Sequence, residues 1–252
     1  MIKITFIGTS SCMPSIGSDT ASFVLNDRHL VDTGWYAVLK MREYGIDPFG
    51  LESLVLTHLH HDHYMGLAPL LFYLSSRKRA DVVHAPLRIL GPEPYLERVF
   101  DNACNYLQLS RFPELEVAHT LLPLSSGQSF ELGGLKWETF AANHVSGRGE
   151  PEPALCYRVT EAESGAFIVF TGDTSFHTPL AGFAQGAQLL IHDTAHTSGR
   201  DAATIARMAG VGRLMLIHYS EDSAASQLSE ARDEFPESYL AVDGETVVIG
   251  TG

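Results

Sequence analysis

The chain has 252 residues, of which 45% are hydrophobic and 19% charged, and its formal net charge is −13 at pH 7. This composition excludes a disordered or fibrous chain, and the length suffices for one large α/β domain with a buried core, so we expect residues 1–252 to form a single domain. The negative charge disfavours polyanionic partners unless bound divalent metals or a local basic patch reverse the field.

Neither a targeting segment nor a membrane span is predicted. The first ten residues, MIKITFIGTS, alternate as a strand does and lack the long apolar core of a signal peptide. The longest apolar runs, such as residues 67–74, fall short of the roughly 20 residues needed to cross a bilayer. We therefore expect no membrane contact and a cytoplasmic location.

Short apolar runs rich in β-forming residues predict strands along the whole chain. They lie at residues 1–10, 55–57, 87–90, 136–140, 155–159, 166–171, 189–192, 214–218 and 246–249. Apolar residues at three- and four-residue spacing predict helices over residues 35–44, 66–76, 94–107, 200–209 and 223–233. No internal repeat or linker is visible, and the alternation of strands and helices predicts a layered α/β arrangement with sheets inside.

Three cysteines, Cys12, Cys104 and Cys156, are widely separated and form no Cys-x-x-Cys pair. An odd number without a pairing pattern argues against a disulfide framework. Because free cysteine is among the most buried residue types, we expect all three to be small buried hydrophobic residues.

Candidate metal ligands are concentrated in residues 57–63, Thr-His-Leu-His-His-Asp-His, at the end of a predicted strand. Side chains two apart in an extended segment point the same way, so His58 and His60 can converge on one ion. Asp62 and His63 follow after the chain turns and can address a second ion. Imidazole and carboxylate ligands suit zinc, and also iron or manganese, whereas closed structural zinc sites are rich in thiolates. A surface histidine cluster without function is the alternative, and a catalytic metal centre is favoured because burying these groups without a ligand is costly.

The pattern H-x-H-x-D-H after a strand resembles the signature of the metallo-β-lactamase superfamily. Asp32 in Val-Asp-Thr-Gly resembles an early aspartate motif of that family, and we expect it to orient a ligand. Three later positions match in order: His144 in Ala-Asn-His, Asp173 in Phe-Thr-Gly-Asp-Thr and His218 in Leu-Ile-His-Tyr-Ser.

The resemblance implies an αββα sandwich, with two mixed β-sheets face to face and helices on both outer faces. It also implies two divalent metal ions, most simply zinc, with manganese or iron as alternatives. One ion would be held by His58, His60 and His144, the other by Asp62, His63 and His218, and Asp173 would bridge them. His61, the variable position of the motif, should point away from the metals.

Several further motifs narrow the resemblance to the ribonuclease Z branch, which contains tRNA 3′-processing endonucleases and related phosphodiesterases. These motifs are Gly8-Thr9-Ser10 with Pro14, His192-Asp193-Thr194 and His196-Thr197-Ser198. Asp193 stands where this branch commonly has glutamate. His196 stands where the branch has a histidine that meets the scissile phosphate, and a loop histidine without a role is the alternative.

The sequence departs from the ribonuclease Z pattern at two places, and both affect which substrate is expected. Residues 161–165 form only a short turn where bacterial tRNA-processing relatives carry a long tRNA-gripping arm, and residues 147–153 form an extended loop after His144. Together with the negative charge, the missing arm argues against structured RNA and for a small-molecule or short phosphodiester substrate. Arg148 in the extended loop could bind an anionic group of a substrate. The simpler interpretation is that it is a solvent-exposed arginine without a role. The sequence is compatible with a homodimer.

The predicted function is that of a binuclear metal-dependent hydrolase of phosphodiester bonds, in which a hydroxide shared by the two metals attacks phosphorus. Asp62 would hold the proton of the nucleophile, and His196 would stabilise the transition state or protonate the leaving oxygen. The alternatives are a ribonuclease Z-like RNA endonuclease, a hydrolase of a lactone, thioester or sulfate ester, and a non-enzymatic metal-dependent binding module. A redox di-iron protein is disfavoured because such relatives usually have glutamate where His60 stands.

Overall fold

Two β-sheets form the centre of the fold, each with seven strands within residues 1–76 and 85–250, which the computed structural model describes. The strands are Ile2–Gly8 (β1), Ser22–Leu25 (β2), His29–Val31 (β3), Ser53–Val55 (β4), Leu87–Pro92 (β5), His119–Leu124 (β6), Ser129–Leu132 (β7), Leu135–Ala141 (β8), Leu155–Glu161 (β9), Phe167–Phe170 (β10), Leu189–Asp193 (β11), Leu214–Ile217 (β12), Ser238–Leu240 (β13) and Thr246–Ile249 (β14). The first sheet has the order β14-β1-β2-β3-β4-β5-β6, and the second has the order β7-β8-β9-β10-β11-β12-β13.

The two sheets repeat one topology. In the first sheet, the pairings from β14 to β3 are antiparallel and those from β3 to β6 are parallel. In the second sheet, the pairings from β7 to β10 are antiparallel and those from β10 to β13 are parallel. The two sheets share only the directions in which their strands pair. Because different residues can form the same pairing, the sequence shows no internal repeat.

Helices cover the outer face of each sheet. They are Ala37–Glu43 (α1), His61–Tyr64 (α2), Leu67–Ser75 (α3), Leu96–Tyr106 (α4), Pro179–Phe183 (α5), Gly199–Ala209 (α6) and Glu221–Glu234 (α7). Apolar residues of α1, α3 and α4 pack on the first sheet, and those of α5, α6 and α7 pack on the second. Within the part of the chain that is described, no helix is long and apolar enough to cross a membrane.

The core between the sheets is aromatic. Trp137, Tyr157 and Phe170 of the second sheet are at most 1% exposed, and the Phe170 ring meets that of Phe23 edge to face with centroids 5.1 Å apart. Buried apolar surface contributes about 25 cal/mol per Å², so these large rings make the interior layer a main source of stability. The predicted αββα sandwich is confirmed.

The predicted elements agree with the observed ones, with one informative shift. The strand expected at residues 55–57 is Ser53–Val55, and the chain leaves the sheet at Thr57. The backbone N–H of Thr57 donates to the carboxylate of Asp32 at 2.8 Å rather than to a neighbouring strand. The side chain of Asp32 therefore ends this strand.

The expectation that all three cysteines are buried is wrong. Cys156 lies in the second sheet and is fully buried, Cys104 is half-buried in α4, and Cys12 is exposed. Cys12 follows the last residue of β1 by four positions and lies in a loop, where no apolar layer covers it.

Candidate metal centre

Loops at the carboxyl ends of strands from both sheets bring the candidate ligands together. In the first sheet, Asp32 directly follows β3, and the histidine motif follows β4. His60 has an extended backbone and precedes the short helix α2, so the chain runs straight through His58 and His60 and then turns at Asp62 and His63. The predicted local conformation of the motif is therefore observed.

The second sheet contributes the later residues. His144 lies between β8 and β9, Asp173 follows β10, Asp193 ends β11 and His218 follows β12. Asp32 and His218 have positive φ angles of 54° and 64°. Left-handed backbone at a non-glycine residue costs roughly 1–2 kcal/mol, and such strain is typical of functional sites.

Two groups of side chains converge on opposite sides of Asp173. In the first group, potential ligand atoms of His58, His60, His144 and Asp173 lie within 4.8 Å of one another. His144 Nε2 is 3.1 Å from His60 Nδ1, and His58 Nε2 is 3.5 Å from Asp173 Oδ2.

The second group consists of Asp62, His63 and His218. The Nε2 atoms of His63 and His218 lie 3.3 and 3.2 Å from Asp62 Oδ2. Asp173 Oδ1 lies 3.3 Å from His63 Nε2 and 3.1 Å from His218 Nδ1. The two carboxylate oxygens of Asp173 thus face different histidine groups, as a bridging ligand would.

Two further carboxylates orient the histidines of the second group. Asp32 Oδ2 accepts from His63 Nδ1 at 2.9 Å, and Asp193 Oδ1 accepts from His218 Nδ1 at 2.9 Å. Each hydrogen bond holds the imidazole ring so that its Nε2 faces Asp62. A carboxylate behind a histidine is a common device for orienting metal-binding imidazoles.

The donor set fits a metal ion. The Nε2 atoms of His58 and His63 are buried and have no hydrogen-bond partner among residues 1–76 and 85–250. Thr57 Oγ1 donates to Asp32 and lies 3.2 Å from His58 Nδ1, so His58 donates from Nδ1 and keeps a lone pair on Nε2. A buried imidazole nitrogen without a partner is costly, and a cation bound there would satisfy it.

The pKa values reflect the same demand for positive charge. Burial favours the neutral form of Asp173, but His218, His63 and His58 hold its pKa well below the usual range. Burial likewise disfavours charged His63 and His218, yet Asp173 and the orienting carboxylates raise the pKa of His63 well above normal and that of His218 to about 10. Burial lowers the pKa of His144 to about 4. Protons or metal ions can supply the positive charge that these carboxylates require.

A cavity of about 520 Å³ opens onto the two groups. Its wall includes His60, Asp62, Asp173 and His196, together with Ser11, Cys12, Thr194, Ala195, His218, Ser220, Ser223 and Gln227. His196 Nδ1 lies 3.2 Å from Asp193 Oδ2 and 3.5 Å from Asp173 Oδ2, and its side chain is 36% exposed. The hydrogen bond to Asp193 raises the pKa of His196. His196 therefore borders the cavity as an oriented, protonatable group.

Other predicted residues lie outside the cavity. His61 is exposed and packs against Tyr64, with ring centroids 5.7 Å apart, so it points away from the ligand groups as expected. Arg148 is exposed, in agreement with its simpler interpretation. The extended loop nevertheless reaches the site, because Glu152 Oε2 lies 3.7 Å from His60 Nε2.

Sequence reasoning missed the part that Asp193 plays in orienting both His218 and His196. Its position at the end of a predicted strand could have indicated this role, because carboxylates at strand ends lie close to the candidate ligands. Reasoning also missed Gln227, which lies in the cavity wall on α7. No local pattern marks that residue, because its partners are distant along the chain.

Residues 27–219 match a family described as "Beta-lactamase superfamily domain". Among curated proteins, a ribonuclease Z of Haloarcula marismortui is 29% identical over 96% of this chain and 95% of its own length. A ribonuclease Z of Mycobacterium sp. strain KMS is also 29% identical, over 92% of this chain and 89% of its own length.

Solved structures share the fold. The metallo-beta-lactamase fold protein YhfI from Bacillus subtilis has a TM-score of 0.82 and 22% identity, over 99% of each chain. The short form of human tRNase Z has a TM-score of 0.76 and 23% identity, over 99% of this chain and 100% of its own. Unliganded yeast PDE1 has a TM-score of 0.69 and 14% identity, over 97% and 98%.

The expectation that structured RNA is not a partner is wrong, because the curated relatives that align along nearly the whole chain are named ribonuclease Z. The short turn is real, since β9 and β10 are separated by five residues. A net charge, however, sums the whole surface and does not describe the field at one cavity, and an arm is one binding element among several. Neither feature excludes RNA.

Proposed function

Because the chain belongs to the beta-lactamase superfamily, we propose that it is a metal-dependent hydrolase of phosphodiester bonds with two neighbouring metal sites. The observation that carries this proposal is the position of Asp173, whose two oxygens face separate groups of histidines. Two-metal sites of this kind are common in phosphatases and nucleases.

The first metal site would consist of His58, His60 and His144, and the second of Asp62, His63 and His218, with Asp173 shared. The mixture of imidazole and carboxylate ligands favours zinc, with manganese or iron as the alternatives. When bound, such ions polarise a phosphoryl oxygen and lower the pKa of water, which supplies both electrophile and nucleophile.

Asp62 and His196 act on protons around this centre. Asp62 lines the cavity as a carboxylate: burial opposes its ionisation, but the hydrogen bond from His218 and the charge of His63 lower its pKa. It therefore accepts a hydrogen bond from the attacking water and orients it. His196 has its Nδ1 against Asp193 and a raised pKa, so it can donate a proton from Nε2 to the leaving oxygen.

The test couples metal analysis to a substrate panel of bis(p-nitrophenyl) phosphate, cyclic nucleotides, a lactone, a thioester and a sulfate ester. His58→Ala and Asp173→Ala should lose metal together with turnover of phosphodiesters. His61→Ala is the matched control, because this histidine belongs to the same motif and points away from the cavity. Unchanged metal content and turnover in the first two variants would refute the proposal, and turnover confined to the lactone, thioester or sulfate ester would replace the substrate class.

A second candidate, RNA endonuclease activity, is favoured by the curated relatives, which are named ribonuclease Z. A precursor tRNA with a 3′ trailer, assayed beside bis(p-nitrophenyl) phosphate, discriminates between the two. Site-specific removal of the trailer with a kcat/KM far above that for the small diester identifies RNA as the substrate.

A further inference from the structure

Gln227 connects α7 to both ends of the loop that carries His196. Its Nε2 donates to the carbonyl of Thr194 at 3.2 Å, at the start of this loop. Its Oε1 accepts from the backbone N–H of Gly199, the first residue of α6. One side-chain amide therefore spans the segment 194–199 and holds its two ends at a fixed separation.

The backbones of α6 and α7 are in close contact at this junction. A Cβ atom at Gly199 would lie 2.0 Å from the carbonyl oxygen of Gln227, so no larger residue fits without moving one of the helices. The buried Ala202, Ala203 and Ala231 continue the contact between the two helices below. Because the backbones of the two helices are in direct contact at Gln227, this residue has a fixed position relative to the loop.

The other bonds of the loop come from a different direction. Asp193 accepts from the backbone N–H groups of Ala195 and His196, and Thr197 Oγ1 donates to the carbonyl of Thr174. Thr194 donates to the carbonyl of Ile217 from both its backbone N–H and its Oγ1. All these partners belong to the strand ends around the metal centre. Gln227 instead holds the loop from α7, a helix whose Ser220 and Ser223 line the cavity beside His196.

We propose that Gln227 is a positioning residue for His196, and that it thereby controls hydrolysis of substrates with poor leaving groups. This inference rests on the proposed role of His196 as proton donor. A proton donor must lie within hydrogen-bond reach of the leaving oxygen, and a displacement of about 1 Å can reduce the rate up to 10²-fold. A nitrophenolate leaves without protonation, so its departure does not depend on where the loop lies.

The test compares Gln227→Met, which removes both hydrogen bonds at similar size, with Gln227→Glu, which keeps the acceptor for Gly199 and loses the donor to Thr194. For a diester with an alkoxide leaving group, kcat of Gln227→Met should fall roughly 10- to 100-fold. Gln227→Glu should be slowed at least as much, because its carboxylate faces the carbonyl oxygen of Thr194 to which the amide donated, and neither variant should lose metal. With bis(p-nitrophenyl) phosphate, the loss in each variant should be several times smaller than with the alkoxide diester, because proton donation is not needed there. Equal slowing for both substrates would overturn the inference.

Gln188→Met is the matched control. Gln188 Oε1 also accepts a backbone N–H, from Phe167 at 2.8 Å, on the second sheet away from the cavity. This variant should leave both rates unchanged. The same selective slowing of the alkoxide diester in Gln188→Met would attribute the effect to general stability and would overturn the inference.

A double-mutant cycle separates this inference from the function on which it rests. In a His196→Ala background, Gln227→Met should cause no further loss, because it acts through His196. If the two losses multiply, Gln227 acts independently and the inference is wrong. If His196→Ala is itself as fast as the wild type, the proposed role of His196 fails and the inference fails with it.

Hydrogen exchange of the amides of residues 195–199 provides a readout that needs no activity. Gln227→Met should accelerate this exchange, and Gln188→Met should not. If exchange in Gln227→Met equals that of the wild type, Gln227 does not hold the loop, whatever the enzyme hydrolyses.

Discussion

Asp32 Oδ2 lies 2.9 Å from His63 Nδ1, and the same carboxylate accepts two hydrogen bonds from Thr57, one from the backbone N–H and one from Oγ1. Asp32 thus ends strand β4 and orients a candidate ligand with one side chain. Burial raises the pKa of this carboxyl against the opposing effect of His63. The end of strand β4 and the orientation of a candidate metal ligand therefore depend on the same buried carboxylate.

Replacing Asp32 with asparagine should weaken metal binding without removing a ligand. The amide keeps the shape of the carboxylate but loses the charge that holds the Nδ1 proton of His63, and loss of such a partner typically reduces metal affinity 10- to 100-fold. Competition with a chelator measures this change. Asp47→Asn is the control, because Asp47 caps a short 3-10 turn at Phe49 on the surface. Equal affinities in all three proteins would contradict the role assigned to Asp32.

Removal of the metal should lower the melting temperature. The unpartnered Nε2 atoms of His58 and His63 and the carboxylates around them are stabilised by a cation only in the folded state. At a free zinc concentration of about 100 times Kd, binding stabilises a protein by about 2.7 kcal/mol. For a chain of this size, this corresponds to a shift of roughly 5–10 °C. Thermal melts with EDTA and with added zinc check the shift, and identical curves would argue against a metal site in the folded chain.

Cys12 should be the thiol that reacts first with iodoacetamide. Its side chain is exposed and lines the cavity, whereas burial raises the pKa of Cys156 and also that of Cys104. The carbamidomethyl group extends this side chain at the cavity wall and should slow hydrolysis, whereas Cys12→Ser should keep its activity under the same treatment. Peptide mass spectrometry identifies the modified residue. Fast modification of Cys156 instead would show that the second sheet opens readily.

The buried His29 should make the stability fall at acidic pH. Burial lowers the pKa of His29 from 6.5 to about 4. Between these values the unfolded chain binds a proton that the folded chain does not, so stability is unaffected above pH 6.5, falls as the pH drops toward 4 and then levels off. The difference of about 2.5 pH units corresponds to roughly 3 kcal/mol.

Urea unfolding of wild type and His29→Gln between pH 8 and pH 4 measures this contribution. The difference between the two proteins should shrink as the pH falls, because the glutamine does not titrate. His61→Gln serves as the control, since that histidine is exposed. A constant difference across the range would mean that His29 has the same pKa in the folded and the unfolded chain.

The sequence predicted the parts of the fold that have local patterns. The apolar runs of β8, β9 and β11 and the amphipathic spacing of α6 are visible in any ten-residue window. The short strands β2 and β3 were not predicted. The repeated order of the sheets was also hidden, because pairing is a property of distant segments.

The candidate site divides in the same way. The motif from His58 to His63 is compact, and resemblance to a family extended it to His144, Asp173 and His218. Asp193 and Gln227 act through hydrogen bonds to residues 25–33 positions away, and nothing local marks such bonds. The exclusion of RNA failed for a related reason, because the total charge carries no information on where the charges lie.

The left-handed backbone of His218 has a consequence for directed evolution. Glycine or asparagine adopts this conformation with less strain, but either would leave the buried carboxylates of Asp173 and Asp193 without the imidazole that they contact. The loss of a buried charge partner costs about 3–5 kcal/mol, more than the strain that the exchange relieves. A library screened only for heat resistance should therefore retain histidine at position 218, although its backbone is strained.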